Sequence, residues 1–177
     1  LITEREREIQ GFVPEPSFKV KAFFQTSDRS KLEAKGTKDF ENFESAEQFL
    51  EKNKYNEGVR VFSRSQIQYK VMQEGSGRIP DFDDAVVVHY NGYLIDGTKF
   101  DSSYDRGEPA TFALNGVIQG WQQILQKMPV GSKWKVFIPE NLGYGITGVY
   151  KDAKKGEYII PPSSTLVFDI ELLSIVE

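Results

Sequence analysis

Residues 86–101 constrain the fold most. The run Val86-Val87-Val88-His89-Tyr90-Asn91-Gly92-Tyr93-Leu94-Ile95 is dominated by β-branched and aromatic side chains and breaks at Asp96-Gly97, after which Thr98-Lys99-Phe100-Asp101 follows. Asp-Gly between apolar runs predicts a hairpin, and a type I′ turn, with positive φ at both central residues, is the expected geometry. The hairpin returns Phe100 and Asp101 beside the outgoing strand. Tyr90, Phe100 and Asp101 are then expected on one concave face, with Phe112 to Trp121 and Tyr144 to Phe168 supplying the remaining wall.

The flanking sequence supplies the partners for that hairpin. Ile67 to Met72 reads as a strand and 74–77 as a turn. The charged stretch Ser102 to Pro109 reads as a loop, Ala110 to Leu114 as a short strand. Ile118, Trp121, Leu125 and Met128 recur at spacings of three and four, which predicts a helix over Val117 to Met128, stopped by Pro129 and Gly131. Trp134 to Ile138 and Thr165 to Ile175 complete the strands. The 26 residues from Pro139 to Ser164 read as one long loop, with Tyr144 between two glycines and a charged, solvated middle at 151–155. The expected fold class is α+β, a curved antiparallel sheet of five to six strands wrapped over one short helix.

The first third differs. Thr3 to Gln10 alternates Glu and Arg and suits a short exposed helix ended by Pro14 and Pro16. Ser30 with Glu33 makes a capping box, and Leu32, Gly36, Phe40, Phe43, Glu47 and Leu50 form a narrow stripe on a helix that stops near residues 53–56. We therefore expect a helical arm over 1–57 and a main domain over 58–177. The stripe suits packing on that domain, or a homodimer contact through residues 30–54, or a cradle for substrate. The chain opens at Leu1, not Met, so an upstream segment, with any signal peptide, is expected to have been removed.

The chemistry is bounded by what the chain lacks. Its 22 basic and 26 acidic residues give a net charge of −4, which argues against nucleic acid as a partner. No run approaches 18 apolar residues. There is no cysteine and one histidine, His89, so no His/Cys metal site or cofactor is expected, and His89 reads as structural or surface. Ser102 and Ser103 have no His-Asp partner nearby in sequence. Asp101 and Asp105 suggest a carboxylate pair only weakly, because Arg106 favours an ion pair. What remains is an aromatic, apolar pocket almost free of acid-base groups. That suits a reaction in which no covalent bond breaks, such as rotation about an X-Pro bond against a barrier of roughly 18–20 kcal/mol.

From about Gly58 onward the chain resembles the FKBP-type peptidyl-prolyl cis-trans isomerases. The resemblance rests on 87–90 (Val-Val-His-Tyr), 96–103 (Asp-Gly-Thr-Lys-Phe-Asp-Ser-Ser), 117–121 (Val-Ile-Gln-Gly-Trp), 142–145 (Leu-Gly-Tyr-Gly), 160–162 (Ile-Pro-Pro) and 165–173, in the family's order. It implies a proline pocket between sheet and helix, walled by Tyr90, Phe100, Asp101, Phe112, Val117, Ile118, Trp121, Tyr144, Ile160 and Phe168. Trp121 would be its floor. The Ile118 N–H would bond the bound peptide or a macrolide inhibitor, and the Tyr144 hydroxyl a substrate carbonyl. Asp101 would sit at the rim, held by Arg106 and the Tyr90 hydroxyl; Tyr90, Asp101 and Tyr144 are the implied catalytic residues. Two features depart from the family pattern: Ala110 stands where many members carry an aromatic, and residues 149–158 form an insertion.

Phe49-Leu50, Asn53-Lys54, Glu57-Gly58-Val59 and 67–71 resemble the linker of the family's Mip-like and FkpA-like branch. Members are commonly exported, which implies a periplasmic, outer-membrane-associated or secreted protein acting on proline-containing polypeptide clients; a cytoplasmic place is the alternative. A chaperone or peptide- and macrolide-binding module with little isomerase activity is the rival function, and a structural dimerisation protein a third.

Overall fold

A computed structural model describes residues 37–177, with side chains from Ser45 onward. The Thr3–Gln10 helix, the Ser30 capping box, Leu32, Gly36 and the side chains of Phe40 and Phe43 lie outside the described residues. The expected dimer face is therefore seen only at its end.

The chain runs α1 (Thr37–Asn53), β1 (Val59–Val61), β2 (Gln68–Gln73), β3 (Ala85–Leu94), β4 (Lys99–Ser102), α2 (Ser103–Arg106), β5 (Ala110–Ala113), α3 (Gln119–Leu125), β6 (Lys133–Ile138), β7 (Val149–Asp152), β8 (Glu157–Ile160) and β9 (Leu166–Ile175). The main sheet is antiparallel, in the order β1-β2-β6-β9-β3-β4. Strand β5 also pairs with β3, on the edge that β4 shares. Thus β9 is the strand that joins β6 to β3. Strands β7 and β8 form a separate two-stranded sheet.

Period-two alternation builds the concave core. Val86, Val88 and Tyr90 of β3, with Phe168, Ile170 and Leu172 of β9 and Trp134, Val136 and Ile138 of β6, are buried on one face. Helix α3 lays Trp121, Ile124 and Leu125 onto them. This is the expected sheet over a short helix. The helix is shorter than its apolar period, with one 3₁₀ turn at Leu114–Gly116 before it and Met128 past its end.

The convex face is not bare. Phe137 points away from the core and meets Phe49 of α1 at 6.0 Å between ring centroids. The amide of Asn53 donates to Gln68 Oε1 at 2.8 Å, and Gln68 Nε2 donates to the Leu50 carbonyl at 2.8 Å. That carbonyl lies in the last turn of α1 and also accepts the Lys54 N–H at 3.2 Å. The end of the arm is therefore docked on the sheet by buried polar contacts.

Three local expectations change. The β3–β4 turn is not type I′: among Leu94–Thr98 only Gly97 has positive φ, at +90°. Gly97 N–H donates to the Leu94 carbonyl at 3.0 Å and Leu94 N–H to that of Thr98 at 2.9 Å. This is the three-residue loop with glycine in the left-handed position, reinforced by Thr98 N–H on Asp96 Oδ1 at 2.8 Å. The stretch after Asp101 contains one helical turn, α2, because Ser102 Oγ caps the Asp105 N–H and Gly107, at φ +79°, closes the other end. Residues 149–160, expected to be loop, form the separate β7–β8 hairpin, and the main sheet itself has seven strands where five to six were expected, because the short edge strand β1 adds to it; the class stands.

Candidate active site

Trp121 lies between helix and sheet with no exposed surface. Three aromatic rings meet it nearly at right angles: Tyr90 at 5.1 Å, Phe168 at 5.2 Å and Phe112 at 5.7 Å between centroids. Edge-to-face packing of this kind is the favoured geometry for aromatic pairs. Phe100 extends the cluster, edge-on to Phe168 at 5.6 Å. Its approach depends on Gly92, where an added Cβ would lie 2.7 Å from Phe100 Cζ and 2.9 Å from Phe168 Cε1. The Trp121 Nε1–H has no hydrogen-bond partner among the described residues.

Val117 and Ile118 are buried beside this cluster at the entry to α3. Ile118 is the residue preceding the helix, and no side chain caps it. The first N–H groups of a helix have no intrahelical acceptor and are available to a ligand. Tyr144 and Ile160 join the same buried core from the far end of the sequence. The Glu140 carbonyl holds the Tyr144 loop by accepting from Gly143 N–H at 3.1 Å and Gly145 N–H at 2.9 Å, and Ser163 N–H donates to the Gly145 carbonyl at 2.9 Å. Ile160 is placed by its pairing with Val149 at the root of the β7–β8 hairpin. Tyr150 and Tyr158 stack on that hairpin at 4.6 Å. Ala110 is half-buried against the same core.

At the margin of the cluster three polar groups interlock. Arg106 Nη1 donates to Asp101 Oδ1 at 2.5 Å, the Tyr90 hydroxyl donates to Asp101 Oδ2 at 2.6 Å, and Arg106 Nη2 donates to the Tyr90 oxygen at 3.0 Å. Asp101 is 14% exposed and Arg106 48%, so the carboxylate is the more enclosed partner. Its charge is balanced in place by bonds of the charge-assisted kind. Asp105 belongs to a separate pair with Lys99, at 2.8 Å. The two carboxylates therefore do not form a dyad.

His89 is not alone. Its Nδ1 lies 2.8 Å from Ser103 Oγ, a pairing across 14 residues that sequence proximity did not show. Ser103 is nevertheless no nucleophile: it has no exposed surface, and its oxygen already accepts the Tyr90 N–H at 2.7 Å. The His89 ring stacks on Tyr104 at 4.4 Å, and the Tyr104 hydroxyl donates to Glu171 at 2.7 Å. Burial, and then that bond, push the Tyr104 phenol above its ordinary range.

Behind the Tyr144 loop, a cleft of about 680 Å³ separates α1 from residues 139–141. Glu140 lines it opposite Glu47 and Glu51. Burial, with a smaller push from the Glu47 charge, raises the Glu140 carboxyl to about 7. Sequence reading passed over the roles of Gly92 and Glu140, and weighed Ser103 only as a nucleophile. Gly92 interrupts an otherwise apolar strand, which marks close backbone approach; Ser103 and Glu140 carry no comparable signal.

A profile of the family described as FKBP-type peptidyl-prolyl cis-trans isomerase matches residues 76–173, which include every site residue named above. An isomerase named FkpA from Aeromonas hydrophila is 50% identical over 143 residues, 80% of this chain and 50% of that protein. An FKBP-type 22 kDa isomerase from Escherichia coli is 52% identical over 127 residues, 72% of this chain and 58% of that protein. The chain thus spans about half the length of the curated relatives it matches. The crystal structure of Escherichia coli FkpA superposes with a TM-score of 0.70 at 38% identity, covering 97% of this chain and 72% of that one. That of a Pseudomonas syringae isomerase gives 0.68 at 34%, covering 77% and 94%. The profile spans more than half of the sequence, and both fold and identity agree with it: the chain belongs to the FKBP-type peptidyl-prolyl cis-trans isomerase family.

Proposed function

We propose that this chain accelerates cis-trans rotation about X-Pro bonds in polypeptides and thereby assists protein folding. The observation that carries the reading is the Trp121 floor enclosed edge-on by Tyr90, Phe112 and Phe168, with Asp101 tied to Arg106 and Tyr90 at its margin. Water stabilises the planar amide through its polar carbonyl. A dry aromatic site gives the proline ring apolar contact and withholds that solvation. The twisted amide, with less charge on its oxygen, is then bound in preference to the planar one. A preference of about 7 kcal/mol corresponds to about a 10⁵-fold acceleration. In this reading the Ile118 N–H and the Tyr144 hydroxyl fix the bound peptide. Phe100, Val117 and Ile160 close the walls, and Asp101 acts from the rim with Arg106 in support.

Of the remaining parts of the reading, macrolide binding and the cell-envelope place rest on the same resemblance, and the dimer contact on the apolar stripe. Macrolide inhibitors of the FKBP class would occupy the pocket. Residues 30–54 would form a homodimer contact, and the 1–57 arm would serve the 58–177 domain. One relative carries the name outer membrane protein MIP, from Legionella longbeachae; we place this chain likewise in the cell envelope or outside the cell.

The test is a cis-trans assay on short X-Pro peptides with and without an FKBP-directed macrolide. Asp101→Ala and Tyr144→Phe are each expected to lower kcat/KM at least tenfold while circular dichroism stays native. Macrolide binding without measurable isomerisation would make the chain a binding module instead, and unchanged rates in both variants would remove the two residues from the mechanism.

A further inference from the structure

We propose that Ser103 is a positioning residue for this site, a buried hydroxyl that helps set the distances within the Arg106–Asp101–Tyr90 triangle. The inference rests on the active-site reading above. Its basis is a gap in the sheet. One edge of β3 pairs with β5 through Ala85–Val88 and with β4 through Asn91–Tyr93. His89 and Tyr90 fall between the two partners. The Tyr90 backbone there meets a side chain instead of a strand: its N–H donates to Ser103 Oγ at 2.7 Å, and Ser103 Oγ reaches the Tyr90 carbonyl at 3.3 Å.

The same oxygen lies 2.8 Å from His89 Nδ1. A serine hydroxyl offers one donor and two acceptor sites. If His89 Nδ1 is unprotonated it accepts a hydrogen bond from the Ser103 hydroxyl; if it is protonated it donates to Ser103 Oγ, the hydroxyl hydrogen turns to the Tyr90 carbonyl, and the whole capacity of the serine is used. In both cases the Tyr90 N–H remains held. The His89 ring is itself fixed by its stack on Tyr104.

Ser103 is also where two corners of the triangle, Asp101 and Arg106, come together along the chain. It lies two residues after Asp101 and opens α2, which ends at Arg106. That helix is one closed turn: Ser102 Oγ accepts from Asp105 N–H at 3.1 Å and donates to Asn91 Oδ1 at 2.5 Å, and Gly107 N–H returns to the Ser103 carbonyl at 3.1 Å. A turn so closed moves as a unit. Fixing Ser103 to the backbone of Tyr90 therefore fixes Arg106 and Asp101 relative to the Tyr90 ring.

The experiment is a double-mutant cycle. Ser103→Ala is expected to lower kcat/KM about tenfold, the factor one hydrogen bond carries. Placed on Asp101→Ala, it should add almost nothing, because the group it positions is gone. Its fall in Tm should be the same in both backgrounds, and Ser103→Thr, which keeps the hydroxyl, should recover the rate. An undiminished rate in Ser103→Ala, or a tenfold loss that persists on Asp101→Ala, overturns the proposal. Should Ser103→Ala not fold, Ser103→Cys, similar in size with a weak acceptor, takes its place in the cycle with the same criteria. Asp101→Ala at the wild-type rate sinks the active-site reading itself and is seen without any Ser103 variant.

Discussion

Removing the arm at Gly58 should weaken the domain without disabling its pocket. The cut takes away Phe49, Leu50 and Asn53, which cover Phe137 and pair with Gln68. Phe137 is 5% exposed in the whole chain. Uncovering one such ring costs about 2 kcal/mol. Exchanging the two Gln68 hydrogen bonds for water costs about 1 kcal/mol each. The sum, about 4 kcal/mol, corresponds to a fall in Tm of roughly 10–20 °C for a domain of this size. Phe137 and Trp121 lie on opposite faces of the sheet, so isomerisation of a short peptide well below the new Tm should be unchanged. Refolding of a proline-limited protein should slow if the arm cradles protein clients as proposed. Thermal and urea melts of the two forms, followed by both assays, decide it. A truncated form melting within about 2 °C of the whole chain would refute the energetic reasoning, and unimpaired refolding would make the arm a spacer.

Three further outcomes follow from the site. Trp121→Ala should cost about 3–5 kcal/mol in urea melts and abolish activity, since it empties the space between α3 and the sheet; a loss under 1 kcal/mol would contradict full burial. Gly92→Ala should lower kcat/KM several-fold and cost about 1–3 kcal/mol, because the methyl must displace Phe100 and Phe168; peptide kinetics and melts both read this. Glu140 titrates at about 7 in the fold against an ordinary 4.5, so the folded state holds its proton more tightly. Stability should therefore fall by about 1–3 kcal/mol as pH rises from 4.5 to 7 and level off above it. Glu140→Gln should flatten that slope in urea titrations, and an unaltered slope would assign it elsewhere.

The parts of the fold legible in the sequence are those written as periods. Alternation in β3 and β9 and the three-four spacing of Ile118, Trp121 and Leu125 placed sheet and helix. The family motifs supplied the pocket residues, and Tyr90, Phe100, Phe112, Trp121 and Phe168 do lie ring against ring. Asp-Gly announced a turn, but its type depended on which of two residues took positive φ, and only Gly97 did. The β7–β8 hairpin escaped because the charges at 151–155 were read as solvated loop, although Val149-Tyr150 and Tyr158-Ile159-Ile160 flank Asp152 and Gly156 as strands flank a turn. The contacts of His89 with Ser103 and of Asn53 with Gln68 join residues 14 and 15 apart through side chains, and no periodicity records them.

The place of β9 has a consequence for biosynthesis. Without it the main sheet falls into two pieces, β1-β2-β6 on one side and β3 with β4 and β5 on the other. A nascent chain still short of Leu166 would hold both pieces with their inner edges unpaired, and such edges invite pairing with other chains. The partners that close them are about 70 to 90 residues apart between β3 and β9, a separation that slows the search. Translation delivers the strand at the middle of the sheet after all the others, so this sheet can close only after the ribosome has made β9.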